Sequence, residues 1–113
     1  MKLSVIYLDN YTGNFQVHVK EAELTISTET FGKMDPFLEC KVGDVSSQTE
    51  VLDSAGQNPK WNQTLSFILE SIPSKIFLQV KDKDMVNDDI VGGKTLNPQQ
   101  EGYMIESEEP VDR

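Results

Sequence analysis

One cysteine, one histidine and one tryptophan are all that this chain contains of those three residue types, and each scarcity closes off a class of chemistry. Cys40 has no second cysteine to pair with, so no internal disulfide staples the chain. A domain this small without one suits a reducing compartment, and the expected location is cytoplasmic. His18 has no cysteine or histidine companion at metal-ligand spacing, and no serine or cysteine beside it in a nucleophile pattern. Neither an HExxH helix motif nor a glycine-rich phosphate loop is present. The chain therefore reads as a non-enzyme with no small-molecule substrate. Basic residues are few: ten Lys and Arg stand against nineteen Asp and Glu, a formal charge of −9. Phosphate backbones are held by clustered cations, so nucleic acid is excluded as a partner. Long apolar runs are missing too. Val5 to Leu8 and Phe67 to Leu69 fall far short of the ~20 residues of a membrane-spanning helix. The opening MKLSVIYLDN meets Asp9 early and has no small-residue cleavage site after it, so it reads as a strand and not as a leader. The sequon-like Asn62-Gln63-Thr64 is taken as chance, because it has meaning only outside the cytosol.

What the chain does have is alternation. Leu3, Val5 and Tyr7 alternate with other residues, a turn-forming Asn10 to Asn14 follows, and Phe15, Val17 and Val19 alternate again, which predicts a leading hairpin. Phe37 to Val42, Gln48 to Leu52, Thr64 to Leu69, Ile76 to Lys81, Ile90 to Leu96 and Tyr103 to Ile105 complete a set of eight predicted strands. Gly43-Asp44, Gly56 to Pro59 and Ser71 to Ser74 break them apart. Short strands without helical segments between them predict an all-β, eight-stranded antiparallel sandwich of Greek-key type, with loops gathered at its two ends. A single domain is expected over residues 1–105. Residues 106–113 carry three glutamates and Asp112 against Arg113 alone, and are expected to form an acidic tail. Trp61, between turn residues and a strand, is expected to anchor a loop on the core. His18, flanked by Val17 and Val19, is expected on a surface face with no role.

Acids concentrate in two connections. One is TISTETFGKMDP, with Glu29 and Asp35; the other is KDKDMVNDDIVG, with Asp82, Asp84, Asp88 and Asp89. Residues two apart on a strand share a face, so Asp82 and Asp84 aim at one side and the later pair returns from across the loop. Crowded carboxylates repel, and a hard divalent cation taking roughly six to eight oxygens relieves the repulsion, with calcium the natural candidate. An acidic solvated loop is the plainer alternative. An EF-hand is ruled out by the letters: counted from Asp82, the glycine position holds Asn87 and the final glutamate position holds Gly93.

Four blocks in order, FQVHVKEAELT, GKMDPFLECKVG, NPKWNQTLSFIL and FLQVKDKDMVNDDIVG, resemble the recurring segments of C2 domains, the calcium- and phospholipid-binding sandwiches of signalling and trafficking proteins. The resemblance implies calcium (Ca2+) ligands at Asp35, Asp82, Asp84 and Asp89. Glu29 stands where the pattern usually has another aspartate, and a third loop one residue short leaves Asp88 as a rival to Asp89. The same resemblance puts Phe31, Met34, Met85 and Val86 at exposed loop tips, as membrane contacts. The implied function is calcium-dependent docking of a peripheral protein on an anionic phospholipid membrane surface. The alternative is a calcium-independent scaffold or subunit that contacts a partner protein. Lys41 opposed by Glu39, Asp44 and Glu50 gives no lysine-rich strand for phosphoinositides.

Overall fold

The computed structural model describes residues 1–8, 13–25, 27, 32–71, 73–97 and 104–108. Among these, eight strands form in chain order: β1 (Lys2–Leu8), β2 (Asn14–Glu23), β3 (Pro36–Val42), β4 (Val45–Gln48), β5 (Lys60–Ile68), β6 (Ile76–Asp82), β7 (Asp89–Leu96) and β8 (Met104–Glu108). They make two four-stranded sheets, ordered β5-β2-β1-β8 and β4-β3-β6-β7, and every pairing is antiparallel. The predicted all-β sandwich is thus the observed architecture. β8 runs to Glu108, so Glu106 and Glu108 belong to a strand paired with β1, three residues beyond the expected boundary at 105.

Alternation makes the core. On β2, Phe15, Val17 and Val19 are buried while Gln16 and His18 sit half-buried on the other face; on β6, Ile76, Leu78 and Val80 are buried in the same rhythm. A slip of one residue would turn either set out to water, which is why these registers hold. Trp61 is nearly buried and donates its indole N–H to the Pro36 carbonyl (3.3 Å), so a β5 side chain ties one sheet to the other. The single cysteine, Cys40, is buried, and burial pushes its thiol pKa up to about 12.

The fourth strand differs from expectation. It lies at Val45–Gln48 instead of 48 to 52, because Gly43-Asp44 closes a two-residue hairpin in which Val42 faces Val45. Gly43 has φ +59° at the first central position, where this hairpin type favours glycine. Past Gln48 the chain still follows β3, but through isolated bonds: Thr49 N–H to the Leu38 carbonyl (2.9 Å), Leu38 N–H to Thr49 Oγ1 (2.9 Å), and Leu52 N–H to the Pro36 carbonyl (3.0 Å). The apolar letters at Val51 and Leu52 belong to that docked segment.

Candidate functional site

Three connections meet at one end of the sandwich. Leu24, just past β2, donates its N–H to the Gln57 carbonyl (2.7 Å), and Gly56 N–H reaches the Met34 carbonyl (3.0 Å). The third connection, between β6 and β7, is stitched on by Lys83 N–H to the Asp35 carbonyl (3.0 Å). Pro36 faces Asp82 across the β3–β6 ladder, and Asp82 faces Asp89 across β6–β7. Asp82 and Asp89, at the two ends of the β6–β7 connection, are therefore neighbours by strand register, and Asp35 lies one residue from Asp82's partner on β3. Close by, β7 carries an extra residue, Val91, between the pairs Val80–Gly92 and Lys81–Ile90; such a bulge bends the strand next to the loop.

Four of the carboxylates at this end have a local task. Asp82 is fully buried, and its Oδ1 accepts the Asp35 N–H at 2.8 Å. Asp35 Oδ1 accepts the Ser54 N–H at 2.7 Å. Ser54 sits at φ +55°, a left-handed conformation that costs a non-glycine residue of order 1–2 kcal/mol, so the bond to Asp35 helps fix a strained turn. Asp88 Oδ1 accepts the Asp84 N–H (3.1 Å) and lies 3.7 Å from Lys83 Nζ, while Asp84 Oδ1 accepts the Met85 N–H (2.6 Å). Asp89 is exposed at the start of β7.

Of the expected ligands, Asp35 and Asp82 are brought together by a hydrogen bond, as are Asp84 and Asp88. Glu29 and Phe31 lie outside the described residues. Oxygen-only donors suit a hard cation, yet among the described residues no three acidic, histidine or cysteine side chains converge closely enough to hold a metal ion.

The apolar tip divides sharply. Met85 is 99% exposed and Val86 87% exposed. Met34 is the correction: it is fully buried in the core cluster, because it lies one residue ahead of the stitch from Asp35 to β6 and its own carbonyl is held by Gly56. Ile90, which the alternation assigns only to a strand, is 39% exposed beside the bulge and adds to the apolar surface at this end. Its sequence signal was its place directly after the acidic pair. Ser54 as donor to Asp35 had no signal, since left-handed serines are not marked by their neighbours. No described helix is long and apolar enough to cross a membrane.

Comparisons with known proteins agree on one family. The sequence pattern of the C2 domain family matches residues 13–112. Extended synaptotagmin-1 of Mus musculus is 36% identical over 84 residues, covering 68% of this chain but only 8% of that protein. The chain thus spans less than a tenth of this relative's length. Among solved structures, a C2 domain of plant Extended Synaptotagmin 1 superposes with TM-score 0.69 at 25% identity, over 78% of this chain and 70% of that one. A C2 domain of RIM from Drosophila gives TM-score 0.77 over 94% of both chains; at 12% identity this is a likeness of fold alone.

Proposed function

The chain belongs to the C2 domain family, a class of generally non-enzymatic binding modules, and from that premise we propose that it docks on anionic phospholipid membranes through the Met85–Val86 loop end, with calcium as the trigger. One observation carries the reading: two almost fully exposed apolar side chains stand between Asp84 and Asp88. Fully burying a side chain of this kind gains roughly 1.5–3 kcal/mol, so the pair offers about 3–6 kcal/mol on entering lipid. Residues 82–89 hold four aspartates against one lysine, a net of −3. Taking about 1 kcal/mol per charge near an anionic surface, repulsion cancels much of that gain. Docking thus needs the charge neutralised first. C2 domains commonly bind calcium, and Asp35, Asp82, Asp84 and Asp89 are the residues that would hold the ion once their side chains draw together on it, with Asp88 and Glu29 as further donors. The ion's contribution is positive charge at the loop end; the protein's own Met85 and Val86 supply the apolar insertion.

A second reading is favoured by one feature. The carboxylates of Asp35, Asp82, Asp84 and Asp88 each accept a backbone N–H group, so they brace the loops themselves, as a calcium-independent scaffold contacting a partner protein would require. Isothermal titration separates the two. Docking by calcium predicts binding heat that D84N and D89N remove, and sedimentation with phosphatidylserine vesicles in calcium but not in chelator. No heat at millimolar calcium, or equal pelleting in both tubes, supports the scaffold instead.

A further inference from the structure

Four strands border a sheet: β5 and β8 in one, β4 and β7 in the other. An open edge presents unpaired N–H and C=O groups to any other chain, and proteins blunt such edges with shortness, bulges or charge. β4 has only four residues. β7 carries the bulge at Val91, the glycines Gly92 and Gly93, and Lys94. β8 has Glu106 and Glu108 among its five residues. β5 differs from all three. It is nine residues long, has an irregularity only near its start, where Asn62 takes φ +47°, and pairs regularly with β2 from Gln63 to Ile68. Between Lys60 and Glu70 it has neither a charge nor a proline. Among the described residues the main chain of 61–68 has β2 as its hydrogen-bonding neighbour and no other. Ile68, at the end of this edge, is 83% exposed.

The geometry points to a second copy of this chain as the partner of that edge, joined by antiparallel β5–β5 pairing about a two-fold axis near Leu65. Charge complementarity selects both the partner and the direction. Antiparallel pairing sets the Lys60 end of each strand against the Glu70 end of the other, twice per dimer, whereas parallel pairing would set like against like. Lys60 is free to turn, since its contact with Glu21 is a long 4.0 Å with the lysine largely exposed. A centre on Leu65 keeps the faces consistent: the buried Trp61, Leu65 and Phe67 stay on the core side in both copies, and Thr64 comes opposite the partner's Ser66, two small side chains already bonded to β2 through His18 (2.9 Å) and Gln16 (3.1 Å) that leave room for a neighbouring strand. The two four-stranded sheets then continue into one.

The two-fold axis also fixes orientation. The Lys60 end of β5 adjoins the acidic loops, through Ala22 N–H to the Pro59 carbonyl (3.0 Å) and Leu24 to Gln57. A dimer therefore carries its loop ends at opposite poles. Clustering of vesicles in calcium would follow from this, a consequence that rests on the docking reading, while pairing itself is tested without lipid.

Sedimentation equilibrium of the whole chain from micromolar to several hundred micromolar, at physiological salt, tests the pairing. The expected result is a concentration-dependent dimer. K60E and E70K each weaken it by roughly two- to tenfold, the range of exposed ion pairs, the K60E/E70K double variant restores it, and T64K/S66K abolishes it, with circular dichroism showing every variant folded. A chain that is monomeric throughout overturns the proposal. So does a dimer in which the double charge swap is no tighter than either single one.

Discussion

Met34 and Met85 lie at the same end of the molecule and have opposite surroundings, one enclosed by the core and the other 99% exposed. Removing a buried methionine side chain costs transfer energy and leaves a cavity, about 2–5 kcal/mol, so Met34→Ala is expected to lower the urea midpoint strongly. Met85→Ala is expected to leave it within about 0.5 kcal/mol, since it touches nothing the fold needs. Equal effects in the two variants would contradict the burial assigned to them. From the letters the two look alike, each an apolar residue beside an aspartate in a loop. The difference arises from Gly56 binding the Met34 carbonyl and from Asp35 being tied to Asp82, long-range contacts that no local pattern announces. Cys40 gives a second residue-scale test. Its folded thiol stays protonated up to about 12, because burial disfavours the thiolate, while an unfolded cysteine ionises near ~8.5. The unfolded state sheds its proton first, so this residue's contribution to stability is complete below about pH 8.5 and is lost as pH rises toward 12. At pH 8 a disulfide reagent is expected to label Cys40 only in denaturant; prompt labelling of the native chain would refute its enclosure.

At the scale of elements, the strands were legible wherever alternation had a buried face to obey. β2, β3, β6 and β7 lie within a few residues of their predicted spans, because Phe15 to Val19, Phe37 to Val42, Ile76 to Lys81 and Ile90 to Leu96 each carry enough apolar letters to fix them. β4 does not: VSSQ has one apolar residue, and what places it is the turn at Gly43. Gly43→Ala, at φ +59°, is therefore expected to destabilise by about 1 kcal/mol and Gly43→Asn by less, measured by denaturant unfolding. If alanine were neutral there, the hairpin would not depend on that backbone conformation. The loop acids were legible as a group, since four aspartates in eight residues are conspicuous. Their individual tasks were not. Asp88, read from the letters as a rival to Asp89 for an ion, also accepts the Asp84 N–H and lies 3.7 Å from Lys83 Nζ, contacts within the loop that the letters do not announce.

For the whole molecule, a charge of −9 sets the long-range behaviour. At long range it repels an anionic membrane, and contact with lipid is favourable where apolar residues lead and a cation can gather. The β6–β7 end is the one place in the described structure that combines Met85, Val86 and Ile90 with several carboxylates. Because the buried Cys40 stays unreactive, a spin label on M85C reports from the tip alone, and power saturation measures its depth in phosphatidylserine vesicles. The expected result is a label beneath the phosphate level in calcium and in water when the ion is chelated. A label that remains equally open to aqueous relaxants in both conditions would contradict cation-triggered insertion of this loop.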